Sequence, residues 1–148
     1  MIERTTNVIL LFLGVSFALG CRPDSSPKKY YIPPAVAIPS VTSVEMHELV
    51  QSSPQPVVVE FGVDFACARC DDMRGQIADL AQELEGTARV VRVDFNANRE
   101  LAAQYGANIC PSYVIFDQGR VVNMRSYPTS ADMIRTDLVS PPLRSESF

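Results

Sequence analysis

Tryptophan is absent from the 148 residues, and histidine occurs once, at His47. A zinc site built from Cys and His has almost nothing to draw on. Basic charge is scarce too: 13 Lys and Arg stand against 17 Asp and Glu, a formal net charge of −4. A nucleic-acid partner calls for a basic face, so that class is excluded. Four cysteines are too few for a disulfide-dense mini-protein of this length. Val8–Leu19 (VILLFLGVSFAL) is almost wholly apolar but falls short of the roughly 20 residues that span a bilayer. No internal repeat is visible. The chain is nevertheless 47% hydrophobic, too apolar for disorder, and its length suits one folded domain.

Residues 1–20 read as a secretory signal peptide: a polar start, a short apolar run and small residues at its end. Gly20-Cys21 resembles a bacterial lipoprotein processing site, which makes Cys21 the candidate lipidation site. An uncleaved anchor and ordinary secretion are the alternatives. All three put the remainder outside the cytoplasm, periplasmic or otherwise extracytoplasmic, with the membrane reached through the lipid on Cys21. Residues 21–40 carry Pro23, Pro27, Pro33, Pro34 and Pro39, which forbid a helix or a central strand. They read as a semi-extended tether. The folded domain is expected over 41–140, with a tail at 141–148.

Within the domain, Thr42 or Ser43 can cap a helix running through Val50, with Glu45 in its first turn. Val57–Phe61 is apolar except for Glu60, as in a strand buried on both faces. From Cys67 to about Glu85, Met73, Ile77, Leu80 and Leu84 recur at helical spacing, and Gly86 follows as a stop. Ala88–Phe95 reads as a strand and Asn98–Tyr105 as a short helix. Ser112–Phe116 and Arg120–Arg125 read as a hairpin about Asp117-Gln118-Gly119. A last helix over Ser130–Val139 turns Met133, Ile134 and Leu138 inward. This order predicts an α/β fold: a central mixed sheet with helices on both faces.

The chemistry concentrates at Cys67-Ala68-Arg69-Cys70, between a buried strand and an amphipathic helix. Two thiols three positions apart can close a small disulfide. A helix N-terminus stabilises a thiolate on the first of them and makes Cys67 the attacking nucleophile. Half of a zinc site is the other reading of C-x-x-C, but Cys110 is the one further plausible ligand in the domain, and His47 reads as a surface residue.

Val57–Leu138 resembles the thioredoxin family. The matching residues are Val57-Val58-Val59-Glu60-Phe61, the Cys67/Cys70 pair, Val93-Asp94, Tyr105-Gly106, Ile109-Cys110-Pro111-Ser112 and the Asp117-Gln118-Gly119 turn. The resemblance implies the thioredoxin fold and thiol–disulfide exchange without a small-molecule cofactor. It makes Cys67 and Cys70 the catalytic pair, Pro111 a cis proline beside them, and Glu60 the buried acid that relays a proton to the second Cys. A solvated or salt-bridged strand residue is the other reading of Glu60. Cys110 and Pro111 would bind substrate backbone, with Phe65 partly filling the space of the family's Trp. Ala68 and Arg69 would tune the redox poise, Arg69 by favouring the thiolate while Asp71 and Asp72 oppose it. Tyr127 stands where the family commonly has Gly and would narrow the groove.

Cys110 departs from the family, which usually has Thr, Val or Ile before that proline. Three readings stay open: a small buried apolar residue, a third redox thiol, or a partner of Cys67 and Cys70 in a soft-metal or iron–sulfur site. The expectation is a monomeric, lipid-anchored oxidoreductase. It would act chiefly as a reductase of disulfides in envelope proteins and draw electrons from a membrane donor. The alternative is a metal-binding protein using the three cysteines.

Overall fold

The computed structural model describes residues 37–139. The signal peptide, Cys21, most of the Pro-rich stretch and the C-terminal tail lie outside the described residues. Eight elements follow in the order α1 (Ser43–Ser52), β1 (Val57–Gly62), α2 (Ala68–Glu83), β2 (Arg89–Asp94), α3 (Arg99–Gln104), β3 (Ser112–Asp117), β4 (Arg120–Ser126) and α4 (Ala131–Val139). The four strands form one sheet in the order β2-β1-β3-β4. β1 runs parallel to β2, as the intervening helix α2 requires, and antiparallel to β3. The sheet is therefore mixed, as expected.

The strand β1 is central, and all six of its residues are buried. Its alternation divides the core. Val57, Val59 and Phe61 pack with Met46 and Val50 of α1 and Ala102 of α3. Val58 packs with Met73, Ile77 and Leu80 of α2 and Ile134 of α4 on the other face. The period of two thus gives one helical layer Val57, Val59 and Phe61 and the other Val58 and Glu60, which is why no polar alternation shows in Val57-Val58-Val59.

The start of α1 is a capping box. Thr42 Oγ1 accepts the Glu45 N–H at 3.2 Å, and Glu45 Oε2 accepts the Thr42 N–H at 2.7 Å. Thr42→Ala is expected to lower the unfolding free energy by about 1 kcal/mol, read as a fall in the urea midpoint. An unchanged midpoint would show that the cap contributes nothing. The hairpin turns on Gln118 and Gly119, with φ of 50° and 77°. A two-residue turn with both φ positive matches strand twist, and Gly119 takes its conformation without a Cβ penalty. Pairing begins just before α1: the Arg92 N–H donates to Pro39 O and the Val41 N–H to Arg92 O, both at 2.8 Å. Pro39 thus joins the outer edge of β2, where its missing N–H costs no ladder bond.

One core expectation is corrected. Met133 is 44% exposed, while Ile134 is fully buried and Leu138 partly so. The inward face of α4 is taken up by Ile134 and by Asp137, whose carboxylate accepts from the Arg125 guanidinium of β4. Met133, one position before Ile134, is turned about 100° away from that face.

Candidate active site

The segment from Gly62 leads out of β1 to Ala66, whose φ is 57°. A non-glycine residue in this left-handed region marks a tight local turn. It delivers Cys67 to the N-cap of α2. There the Cys67 Sγ accepts the Cys70 N–H at 3.1 Å, the role that Ser or Asp plays in other helices. Cys67 and Cys70 are joined as a disulfide with a Cα–Cα separation of 5.2 Å. Cys70 lies inside and Cys67 is half-exposed. A substrate can reach the first sulfur and not the second.

Cys110 arrives from the segment before β3, at a cis Cys110–Pro111 bond. Its Sγ lies 3.0 Å from the Cys70 Sγ and 3.8 Å from the Cys67 Sγ. Cys110 thus lies against both sulfurs of the pair, closer to that of Cys70. Among the described residues, Cys110 is the free cysteine, and it is buried. Burial pushes its thiol pKa up, and the carboxylates of Glu60 and Asp94 push the same way, while the Val63 N–H and Arg69 pull it down. In the Cys67→Ser/Cys70→Ser protein, peptide-mapped alkylation of Cys110 is expected to keep rising past the pH where an ordinary cysteine levels off. A plateau at or below that pH would contradict the burial argument.

Val63, Phe65, Ala68, Arg69, Phe95 and Ile109 line an open cavity of about 440 Å³ that also reaches Cys67 and Cys110. Phe65 is 86% exposed, so it stands at the rim rather than filling a packed space. Ala68 and Arg69 are exposed beside it. Tyr127 is not among the lining residues. Instead its N–H donates to Pro111 O at 3.1 Å and its hydroxyl to Asp72 Oδ2 at 3.2 Å. It braces the Pro111 segment against α2, so the expected narrowing of the groove at Tyr127 is not found at this cavity. Asp71 accepts from Arg74 at 2.9 Å. Both acids of the first turn therefore have partners. His47 lies exposed on α1 and is not part of the cluster of three sulfurs.

Glu60 has no accessible surface. Its Oε2 accepts from Arg92 Nε at 2.7 Å, and its Oε1 accepts from the Tyr113 hydroxyl at 3.3 Å. Glu60 is thus both buried, as the resemblance implies, and salt-bridged. Arg92 continues to Asp64 at 2.6 Å, and Asp64 to Arg74 at 3.4 Å. Alternating charges thus run from the core to Arg74 of α2 and, through it, to Asp71 in the first turn. Burial, and next Glu60, push the Tyr113 hydroxyl far above its ordinary pKa, so it remains a donor. A Cβ at Gly62 would lie 3.1 Å from Glu60 Cδ, so Gly62 leaves the space this carboxylate fills. Arg92 and Tyr113 escaped the sequence reading. A signal existed: Arg92 is the one charge inside Val90–Val93, as Glu60 is inside Val57–Phe61, and the two are direct neighbours across β1 and β2.

The three sulfurs lie within 4.8 Å of one another. Paired as a disulfide, Cys67 and Cys70 offer no thiolates, so the oxidised site does not fit a soft metal. What the arrangement can do is exchange disulfides through its accessible sulfur.

Comparison with known proteins agrees. The family model named Thioredoxin matches residues 37–139. Thioredoxin 1 of Nostoc sp. is 33% identical over 88 residues, which are 60% of this chain and 81% of that protein. Thioredoxin of Synechocystis sp. is 32% identical over the same share of each. The X-ray structure of Fasciola hepatica thioredoxin superposes with a TM-score of 0.59 at 22% identity, covering 70% of this chain and 99% of the other.

Proposed function

This chain belongs to the thioredoxin family, and from that premise we propose that Cys67 and Cys70 carry out thiol–disulfide exchange on envelope proteins, chiefly as a reductant. The observation that carries the reading is the Cys67 sulfur, half-exposed and held by the Cys70 N–H at the start of a 16-residue helix. In the reduced state the helix N-terminus favours the Cys67 thiolate. That thiolate attacks one sulfur of a substrate disulfide. A mixed disulfide forms and the other substrate sulfur leaves as a thiolate. Cys70 then attacks Cys67, the Cys67–Cys70 disulfide closes, and the second substrate sulfur is released. Two electrons pass from protein to substrate.

In this reading the substrate strand lies beside Cys110 and Pro111. None of the backbone hydrogen bonds outside the helices and strands of the described residues uses the Cys110 N–H or C=O, so both are available to an incoming strand. Phe65 offers an apolar contact at the rim. Arg69 supplies positive charge near the sulfurs, and with Ala68 it sets the poise. Glu60, held by Arg92, acts as a positioning charge behind the site.

The envelope setting rests on the amino-terminal sequence: the apolar run before Gly20-Cys21, then the Pro-rich stretch. Lipidation of Cys21 would tether the domain, and a membrane donor would resupply electrons. Mass spectrometry of the mature amino terminus tests this, and an unmodified Cys21 would refute the anchor. The direction is tested by redox titration against glutathione. A midpoint near about −270 mV supports the reductant, and one near about −120 mV would make the protein an oxidant.

A further inference from the structure

We propose that Cys110 takes over the disulfide from Cys67: in the oxidised protein the Cys110 sulfur attacks Cys70, a Cys70–Cys110 disulfide forms, and Cys67 is released as a thiolate. The inference rests on the exchange reading of the Cys67–Cys70 pair above. Cys70 is the nearer electrophile, reached in line once the Cys110 side chain turns from its present approach, roughly perpendicular to the Cys67–Cys70 bond. The Cys110 Sγ is 3.0 Å from the Cys70 Sγ against 3.8 Å from the Cys67 Sγ. The leaving group points the same way. Attack at Cys70 expels Cys67, whose sulfur already accepts the Cys70 N–H at 3.1 Å at the start of α2. The better-stabilised thiolate leaves faster. Attack at Cys67 would instead expel a thiolate on buried Cys70, a desolvated position. Burial points the same way: the new disulfide joins the two buried cysteines and frees Cys67, the more exposed of the two that line the cavity.

The step balances within the protein. One S–S bond forms as another breaks, the oxidation level is unchanged, and the Cys110 thiol proton passes to solvent. No oxidant or reductant is consumed. The consequence is a second activity. An oxidised molecule with Cys67 free can attack a substrate disulfide and later be expelled by a thiol of the same substrate. The substrate's disulfides are then rearranged with no electron donor, and Cys110 is the residue that makes this available.

The test is disulfide mapping of the oxidised full chain, freed of small thiols, treated with N-ethylmaleimide near pH 7, unfolded and digested with trypsin. Cleavage after Arg69 and Arg74 puts Cys67, Cys70 and Cys110 on three separate peptides, with Cys21 on a fourth. The expected result is a cross-link between the Cys70 and Cys110 peptides and maleimide on Cys67, increasing with reaction time. Labelling of Cys67 is expected to fall at least tenfold in oxidised Cys110→Ser. A Cys67–Cys70 cross-link that persists, with label on Cys110 or on none of the three, would overturn the inference. Donor-driven reduction of a protein disulfide by the wild type, measured in parallel, separates the two levels. Turnover with only the Cys67–Cys70 cross-link sinks the inference alone. No turnover sinks the reading beneath it as well.

Discussion

Cys67→Ser is expected to lower donor-driven disulfide turnover by on the order of 10³-fold or more, to the rate of the uncatalysed thiol reaction. The size of the effect follows from access. Cys70 and Cys110 are buried, and Cys67 alone of the three sulfurs is half-exposed to the cavity. It also holds the one helix-cap position at which a thiolate is favoured. A Ser hydroxyl keeps the cap and loses the nucleophile, so the fold should survive the change. The complementary variant keeps Cys67 and replaces both neighbours, Cys70→Ser/Cys110→Ser. Substrate should then stay attached to Cys67 as a mixed disulfide, visible as an added mass that dithiothreitol removes. Turnover that persists in Cys67→Ser, or no adduct in the double variant, would assign the attack to another residue.

Arg92→Ala is expected to destabilise the domain by about 3–5 kcal/mol. Glu60 is fully buried, and the Arg92 Nε at 2.7 Å is its cationic partner. Removing the guanidinium leaves a carboxylate in the core with the Tyr113 hydroxyl as its remaining partner, and Tyr113 cannot neutralise it. The same change frees Asp64 from its 2.6 Å contact, which is more exposed and contributes little. Urea unfolding of the wild type and the variant measures the difference. Glu60→Gln in the Arg92→Ala background removes the orphaned charge and should recover a large part of the loss. A cost under about 1 kcal/mol, or no recovery, would show that water or another group already serves Glu60.

Much of this is legible in the sequence. The strands and helices follow from hydrophobic period, caps and turn residues, each a local property. Thr42 or Ser43 reads as a cap with Glu45 in the first turn, and Asp117-Gln118-Gly119 as the turn of a hairpin. Spacing alone misassigned Met133 because helical periodicity does not say which flank of an apolar stripe meets the sheet. That was settled by Asp137, drawn inward by Arg125 of β4. Phe65 was expected to occupy vacated space, yet it stands at the rim, since the turn at Ala66 carries it outward.

The sequence by itself determined the class of chemistry. C-x-x-C at a strand–helix junction allows a small disulfide, because three residues of helix hold two sulfurs within bonding reach, and the resemblance to the thioredoxin family selects it over half of a zinc site. It also determined the fold's order of elements, since each is written in its own ten or twenty residues. Only the tertiary structure decided what depends on distance across the sheet. Glu60 and Arg92, 32 positions apart, become register partners on adjacent strands. Cys110 lies 40 positions from Cys70 and comes to rest against the pair, nearer to Cys70 than to Cys67. Neither is encoded in any local period: long-range pairing is set by how the strands register and how the layers close, and that is a property of the whole chain.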